Sequence, residues 1–485
     1  MSATPHGAVP LVRLWASLTL VVLLCAACGL VGDGRSRSAG TEPGGGETGG
    51  VAVDQRQAAE WRRFTAALRG RWKGETLDVI GVNDPYLTAY EKVVPEFERL
   101  TGADVRTAFH PYQPTYLLET LIGDSGLAKP DIFLFDIPWV GKFATARYIE
   151  PLNSRLAQVP KDLVRYDDFF TVASDGATWK GEITGLPFAP YFNFNIYNKG
   201  LLARAGVGPP RDYDELVRVA ETVTANVAGV YGVAMNNETG AAAGQAYFEY
   251  IYNMGGRPFS SQYPGSPELY ADMTPQFSSP QSIAVVELFK RLLPYEPPGK
   301  LSMEWHRRYQ AFATEKAALF SSWNYDIPPL ADRRTSSVGD DFGVQPVLRR
   351  PGARLVTPVG GYEMGINRRS RHKELAWDFM VWFSSPQVGA RFAAAGGFPA
   401  RHSVLGNPDL LKQFPYLTTL RGIAHTGFPH WLPQIPESFD VIETLGTWIA
   451  KALYGELSVE DAMARADREV GLLLKDAGYR VRGVP

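Results

Sequence analysis

The sequence predicts an α/β protein made of two lobes, and three observations carry that expectation. Strand-like and helix-like segments alternate along the chain at the spacing of βαβ units, which build a mostly parallel sheet. The chain has 485 residues, more than a single hydrophobic core ordinarily organises. No internal repeat period emerges, so the total suits two α/β lobes better than one.

The first segment in chain order stands apart from the lobes. Arg13 precedes an apolar run over 14–24, followed by the small residues Ala26 and Ala27 and then Cys28 and Gly29. A basic start, a short apolar run and a small-residue zone have the form of an export signal. The run is about half the ~20 residues that a spanning helix needs; the alternative is a short membrane anchor. Leu24-Cys25-Ala26-Ala27-Cys28-Gly29 resembles a bacterial lipobox. The resemblance implies a signal peptide over 1–27 and lipidation of Cys28, although Cys25 stands where the pattern prefers leucine. Residues 28–53 are rich in glycine and serine and poor in large apolar side chains, the composition of a flexible tether.

An extra helix is expected over 54–73, where Ala58, Trp61, Phe64 and Leu68 recur at helical spacing. The body then opens with a strand over 76–81 and an amphipathic helix over 89–100, stopped at Thr101-Gly102. A strand over 103–109, a helix over 116–122 and an apolar strand over 131–135 follow. Beyond these, 213–225, 281–293 and 376–383 read as helices, and 231–235 and 317–321 as strands.

Composition removes several classes of function. Both cysteines, Cys25 and Cys28, lie at the leader, so the exported chain has neither a disulfide nor a thiolate metal site. A formal net charge of −2 gives no global electrostatic case for nucleic acid. Nothing after the leader reaches eighteen consecutive apolar residues, so contact with the membrane is expected through the lipid anchor only.

A series of short motifs carries a family resemblance. Phe97-Glu98-Arg99-Leu100-Thr101-Gly102, Lys129-Pro130-Asp131-Ile132-Phe133, Asp136-Ile137-Pro138-Trp139 and Tyr148-Ile149-Glu150-Pro151-Leu152 occur in order. Gly185-Leu186-Pro187-Phe188, Ile196-Tyr197-Asn198-Lys199, the segment from Phe312 to Leu319, Ala376-Trp377-Asp378-Phe379 and Phe398-Pro399-Ala400-Arg401 continue it. Each is weak alone, but the order and spacing together resemble the family 1 extracellular solute-binding proteins, from about Glu75 to Leu474. That resemblance implies a two-lobed periplasmic-binding-protein-like fold with a hinge and an interlobe ligand cleft. The lobes are expected at 74–188 with 358–404, and at 189–357 with 405–480. It also implies a small carbohydrate ligand, the permease subunits of an ABC importer as partners, and no cofactor.

Candidate site residues come from two sources. In open α/β sheets ligands sit beyond the carboxyl ends of strands. Asn83, Asp84 and Tyr86 follow the first predicted strand, and Asp136 and Trp139 follow the third. Carboxylates accept several hydroxyl hydrogen bonds, asparagine both donates and accepts, and aromatic rings cover the C–H faces of a sugar. Asp136 reads equally as a cap ahead of Pro138-Trp139, and Trp139 equally as core. The family resemblance adds Tyr191 and Asn193 at the first crossover between lobes, and Trp323 and Tyr325 as an aromatic platform. It further adds Gly361 and Tyr362 at a tight turn, and Arg401 either on ligand hydroxyls or in an ion pair holding a lobe. Trp305 and Trp431 are either cleft or core residues.

Catalysis finds little support. Gly123-Asp124-Ser125-Gly126 lacks the second glycine of a protease nucleophile turn, and neither a Gly-x-Ser-x-Gly elbow nor a P-loop occurs. Histidines at 110, 306, 372, 402, 425 and 430 show no metal-ligand spacing. A glycosidase needs only two carboxylates, so an exported glycan-cleaving enzyme is the alternative from another class. Within binding proteins the alternative ligand is a polyol or a glycerol phosphate, because Glu296-Pro297-Pro298-Gly299 ahead of Trp305 is similar to relatives that take sugars or sugar alcohols.

Overall fold

The expected alternation is what the chain forms. The computed structural model describes residues 55–483; the predicted leader, Cys28 and the tether lie outside them. β1 (Thr76–Val82) pairs in parallel with β2 (Asp104–His110) on one side and β3 (Ile132–Asp136) on the other. The helix Leu87–Thr101 between the first two buries Tyr90, Val93, Val94 and Phe97 along one face. It stops where the sequence predicts: Gly102 takes φ 78°, a left-handed conformation open to glycine, and its N–H reaches Glu98 O at 2.8 Å. The extra helix forms over Gln55–Leu68. It is tied to the body by Leu68 in the core, by Gln57 against Gln387, and by Trp72 Nε1 donating to Asp378 at 2.9 Å just beyond it.

Two short strands, β4 (Thr178–Trp179) and β5 (Glu182–Ile183), form a separate hairpin. The remaining strands are β6 (Leu186–Asn198), β7 (Tyr231–Ala234), β8 (Ala317–Trp323), β9 (Phe342–Gln345), β10 (Thr357–Ile366) and β11 (Gly427–Phe428). Among the described residues one sheet runs β2-β1-β3-β10-β6-β8-β7, with β9 beside β6 and β11 beside β10. Its two ends are parallel, and β6 and β10 run antiparallel through the middle.

β6 is the physical crossover. Its first half, Leu186–Phe192, pairs with β10, and from Asn193 onward it pairs with β8. Nearly every residue of β6 and all of β10 are buried, as expected for central strands covered on both faces. The helix Lys373–Phe383 covers this region with Leu375–Phe383 entirely buried. At the other end, the helices Ala241–Ile251, Ser438–Leu453 and Val459–Asp476 pack together beyond β7 and β8. No helix among the described residues is long and apolar enough to cross a membrane.

Candidate functional site

The loops at the carboxyl ends of β1, β2, β3 and β8 converge on a cleft of about 1710 Å³, floored by β6 and β10. This exceeds the roughly 300–1000 Å³ of an ordinary small-ligand pocket. Asn83, Asp84, Asp136, Tyr191, Trp323, Tyr325, Gly361 and Tyr362 all line it. Asp84 and Asp136, the carboxylates expected from the strand-end rule, thus lie on one cleft.

Each carboxylate is held by a tyrosine. Tyr362 donates to Asp84 Oδ2 at 2.6 Å, and Tyr112 donates to Asp136 Oδ2 at 2.7 Å. Asp136 Oδ1 also accepts from Ile137 N at 2.8 Å, so the residue caps the short turn and lines the cleft at once. Burial pushes Asp84 up to about 6 and Asp136 up to about 7, against the partial relief of these hydrogen bonds. The charge of Asp84 raises Asp136 further. Burial likewise pushes Asp326, behind Tyr325, up to about 7, with Ser322 and Arg308 opposing it.

Facing these groups is an aromatic wall. Trp323 ends β8 and packs against Trp431 at 5.5 Å between ring centroids, while Trp431 Nε1 donates to Val359 O at 3.0 Å. Tyr325 meets Tyr191 edge-on at 4.5 Å, and Tyr191 meets Tyr362 at 5.4 Å. Near the rim Trp305, which opens the helix Trp305–Ala313, approaches Tyr112 to 5.6 Å. Trp305 and Trp431 thus belong to the cleft lining.

Four expected contacts lie elsewhere. Tyr86 is buried behind the cleft, its hydroxyl donating to Val82 O at 2.7 Å and its ring packed on Phe188 and Tyr362. Trp139 is core, wedged against Tyr112, Tyr116 and Phe143. Asn193 is fully buried where β6 passes β8, its Oδ1 accepting from Ser321 Oγ at 2.6 Å. Arg401 is buried away from the cleft and donates to the carbonyls of Ser384, Arg165 and Val164. It lies 3.5 Å from Asp168 and over the Phe169 ring. Of its two expected roles, the structure shows the structural ion pair.

The tight turn expected at 360–362 is instead part of β10. Gly361 adopts φ 132°, and a Cβ there would stand 2.4 Å from Ala189 O, so only glycine lets β10 approach β6 this closely. Tyr112 was missed, although it follows β2 as directly as Asp84 and Asp136 follow their strands; the same rule applied to the second strand finds it. No cluster of His, Cys, Asp and Glu among the described residues could hold a metal ion.

With this geometry in hand, comparison with known proteins is decisive. The bacterial extracellular solute-binding protein family matches residues 83–390, well over half of the chain. The chain belongs to that family. A probable amino-acid ABC transporter periplasmic-binding protein of Sinorhizobium fredii is 28% identical over 72% of this chain and 78% of its own length. A mannitol-binding protein of Pseudomonas aeruginosa is 22% identical, covering 84% of this chain and 94% of that one. Among solved structures, a solute-binding protein of Agrobacterium radiobacter in complex with ribitol superposes with a TM-score of 0.76 at 27% identity. It covers 82% of this chain and 98% of its own.

The fold is accordingly the two-lobed fold of periplasmic binding proteins. Members bind small solutes for ABC importers outside the cytoplasm; they are binding proteins and not enzymes.

Proposed function

We propose that this protein captures a sugar or sugar alcohol and presents it to the permease of an ABC importer, tethered outside the membrane through a lipid on Cys28. The observation that carries the ligand class is the cleft itself, whose lining brings the carboxylates Asp84 and Asp136 together with the rings of Trp323 and Tyr325. Such a pairing suits a molecule with hydroxyls around an apolar C–H skeleton. A glycerol phosphate fits poorly, because the cationic side chains of the lining, Arg307 and Lys316, are exposed, while the deeper groups are acidic.

The proposed lobes are 74–188 with 358–404, and 189–357 with 405–480, turning about β6 and β10. Asn83, Asp84, Asp136, Tyr191, Trp323, Tyr325, Gly361 and Tyr362 are the proposed contacts, joined by Tyr112, Trp305 and Trp431. A ligand touching both walls is held fully only when the lobes close, and this differential affinity is what shifts the conformational equilibrium. A thermal-shift screen of monosaccharides, oligosaccharides and polyols tests the reading. At a hundred times its dissociation constant a true ligand adds about 2.7 kcal/mol to stability; silence across the whole panel would refute it.

A further inference from the structure

The two deep carboxylates have no cation of their own. The groups acting on Asp136 are Tyr112, two backbone N–H groups and the charge of Asp84; Asp84 is relieved only by Tyr362. Both are half-buried in the cleft, so a ligand that fills it covers their charge, and one that supplies the countercharge removes the cost of doing so. At the same place Tyr191, only 5% exposed, lines the cleft, and its hydroxyl, itself shielded from water, has no hydrogen-bond partner. Tyr191 feels the charges of both Asp84 and Asp136.

These features describe a receptor for a positively charged donor. An ammonium group offers three N–H donors and no acceptor, which suits two carboxylates with no cation beside them. The faces of Tyr191, Tyr325 and Trp323 attract a cation through their quadrupoles. Glu238 and Glu304 add further acidic groups to the lining. A neutral polyol satisfies the hydrogen bonds but leaves the charge unbalanced.

We infer that the cleft selects amino-substituted members of the carbohydrate class, an amino sugar or aminopolyol whose ammonium group reaches Asp84 and Asp136 together. This rests on the sugar or sugar-alcohol reading above and narrows it.

The test uses matched pairs that differ only by one hydroxyl replaced with an amine: D-glucose with D-glucosamine, and sorbitol with 1-amino-1-deoxysorbitol. Each is titrated calorimetrically into the purified full-length protein at neutral pH, and into the separate variants Asp84→Asn and Asp136→Asn. In at least one pair the amine should bind about tenfold or more tighter than its neutral partner. That preference, the ratio of the two affinities measured in the same variant, should fall to about onefold in at least one variant, however much the binding of the neutral partner itself weakens, and the variant should melt no lower than the parent. Equal or weaker binding of the amines overturns the inference and leaves the neutral sugar or polyol reading standing. A preference that survives in both variants also overturns it, since the charge would then be read elsewhere. If neither member of any pair binds and the broader carbohydrate panel is silent, both readings fall; if only the panel yields ligands, this inference alone falls.

Discussion

Across the cleft, the wall built from β1, β3 and β10 presents Asp84, Asp136 and the hydroxyls of Tyr112 and Tyr362, whereas the β8 wall presents Trp323 and Tyr325 with Trp431 beside them. Asp84 and Asp136 are half-buried and held by single hydrogen bonds to side chains. Trp323 is 3% exposed and continuous with the hydrophobic core. One wall spends folding stability to keep acceptors in place, because burial raises the carboxylates above their ordinary range. The other gains stability from the same rings that would meet a ligand. Recognition and folding are therefore separable on the polar wall and coupled on the aromatic one.

The sharpest way to break this comparison is Trp323→Ala. Truncating a buried tryptophan costs about 3–5 kcal/mol, so urea unfolding should show a loss of that size together with weakened ligand binding. Lost binding with an unchanged unfolding midpoint would place Trp323 outside the core and remove the coupling. Arg401→Leu supplies the control from neither wall. It strips Asp168 of its cation and frees three carbonyls, and should cost about 3 kcal/mol or more. The remaining folded protein should bind ligand with unaltered affinity in calorimetry; a large affinity loss would return Arg401 to the cleft.

On the polar wall, Asp136→Asn should weaken binding by about ten- to a hundredfold, the equivalent of one charged hydrogen bond at about 1.5–3 kcal/mol. Its melting temperature without ligand at neutral pH should be no lower than the parent's, measured by scanning calorimetry, because the variant is spared the cost of ionising a buried carboxyl. A collapse in stability would show that the carboxylate is structural. A further effect is expected on pH. Asp84 and Asp136 bind protons more tightly folded, at about 6 and 7, than the value of 3.8 for a free side chain. Their stabilising contribution is complete below that free value and lost as pH rises through 6 to 7. The ligand-free double variant Asp84→Asn/Asp136→Asn should therefore lose less melting temperature than the parent between pH 5 and pH 8. Parallel melting curves would mean that the two groups ionise without cost.

Much of this was legible along the chain. The helix predicted over 89–100 appears as Leu87–Thr101, and the strand over 131–135 as Ile132–Asp136. Their periodicity and stop signals are local properties of a few adjacent residues. β10 escaped the strand reading, and β6 was placed only as the crossover that the family resemblance implies, because their continuous burial erases the alternation that marks a half-exposed strand. The helices Ser438–Leu453 and Val459–Asp476 also went unread. Their apolar faces are covered by one another and by the helices Ala241–Ile251 and Pro280–Leu292, elements placed together by the fold.

The sequence by itself determined which residues end each strand, and hence that Asn83, Asp84 and Asp136 stand where an α/β sheet binds ligand. Only the tertiary structure decided which way the neighbouring side chains turn. Tyr86 folds back on Val82 and Phe188, while Tyr112 turns to Asp136. Arg401 spends its donors on Val164 and Arg165, more than two hundred residues earlier. The physical reason is one of range. Strand ends follow from nearest-neighbour pattern, whereas a side chain's direction follows from the partners that can satisfy it, and those are brought near only by folding.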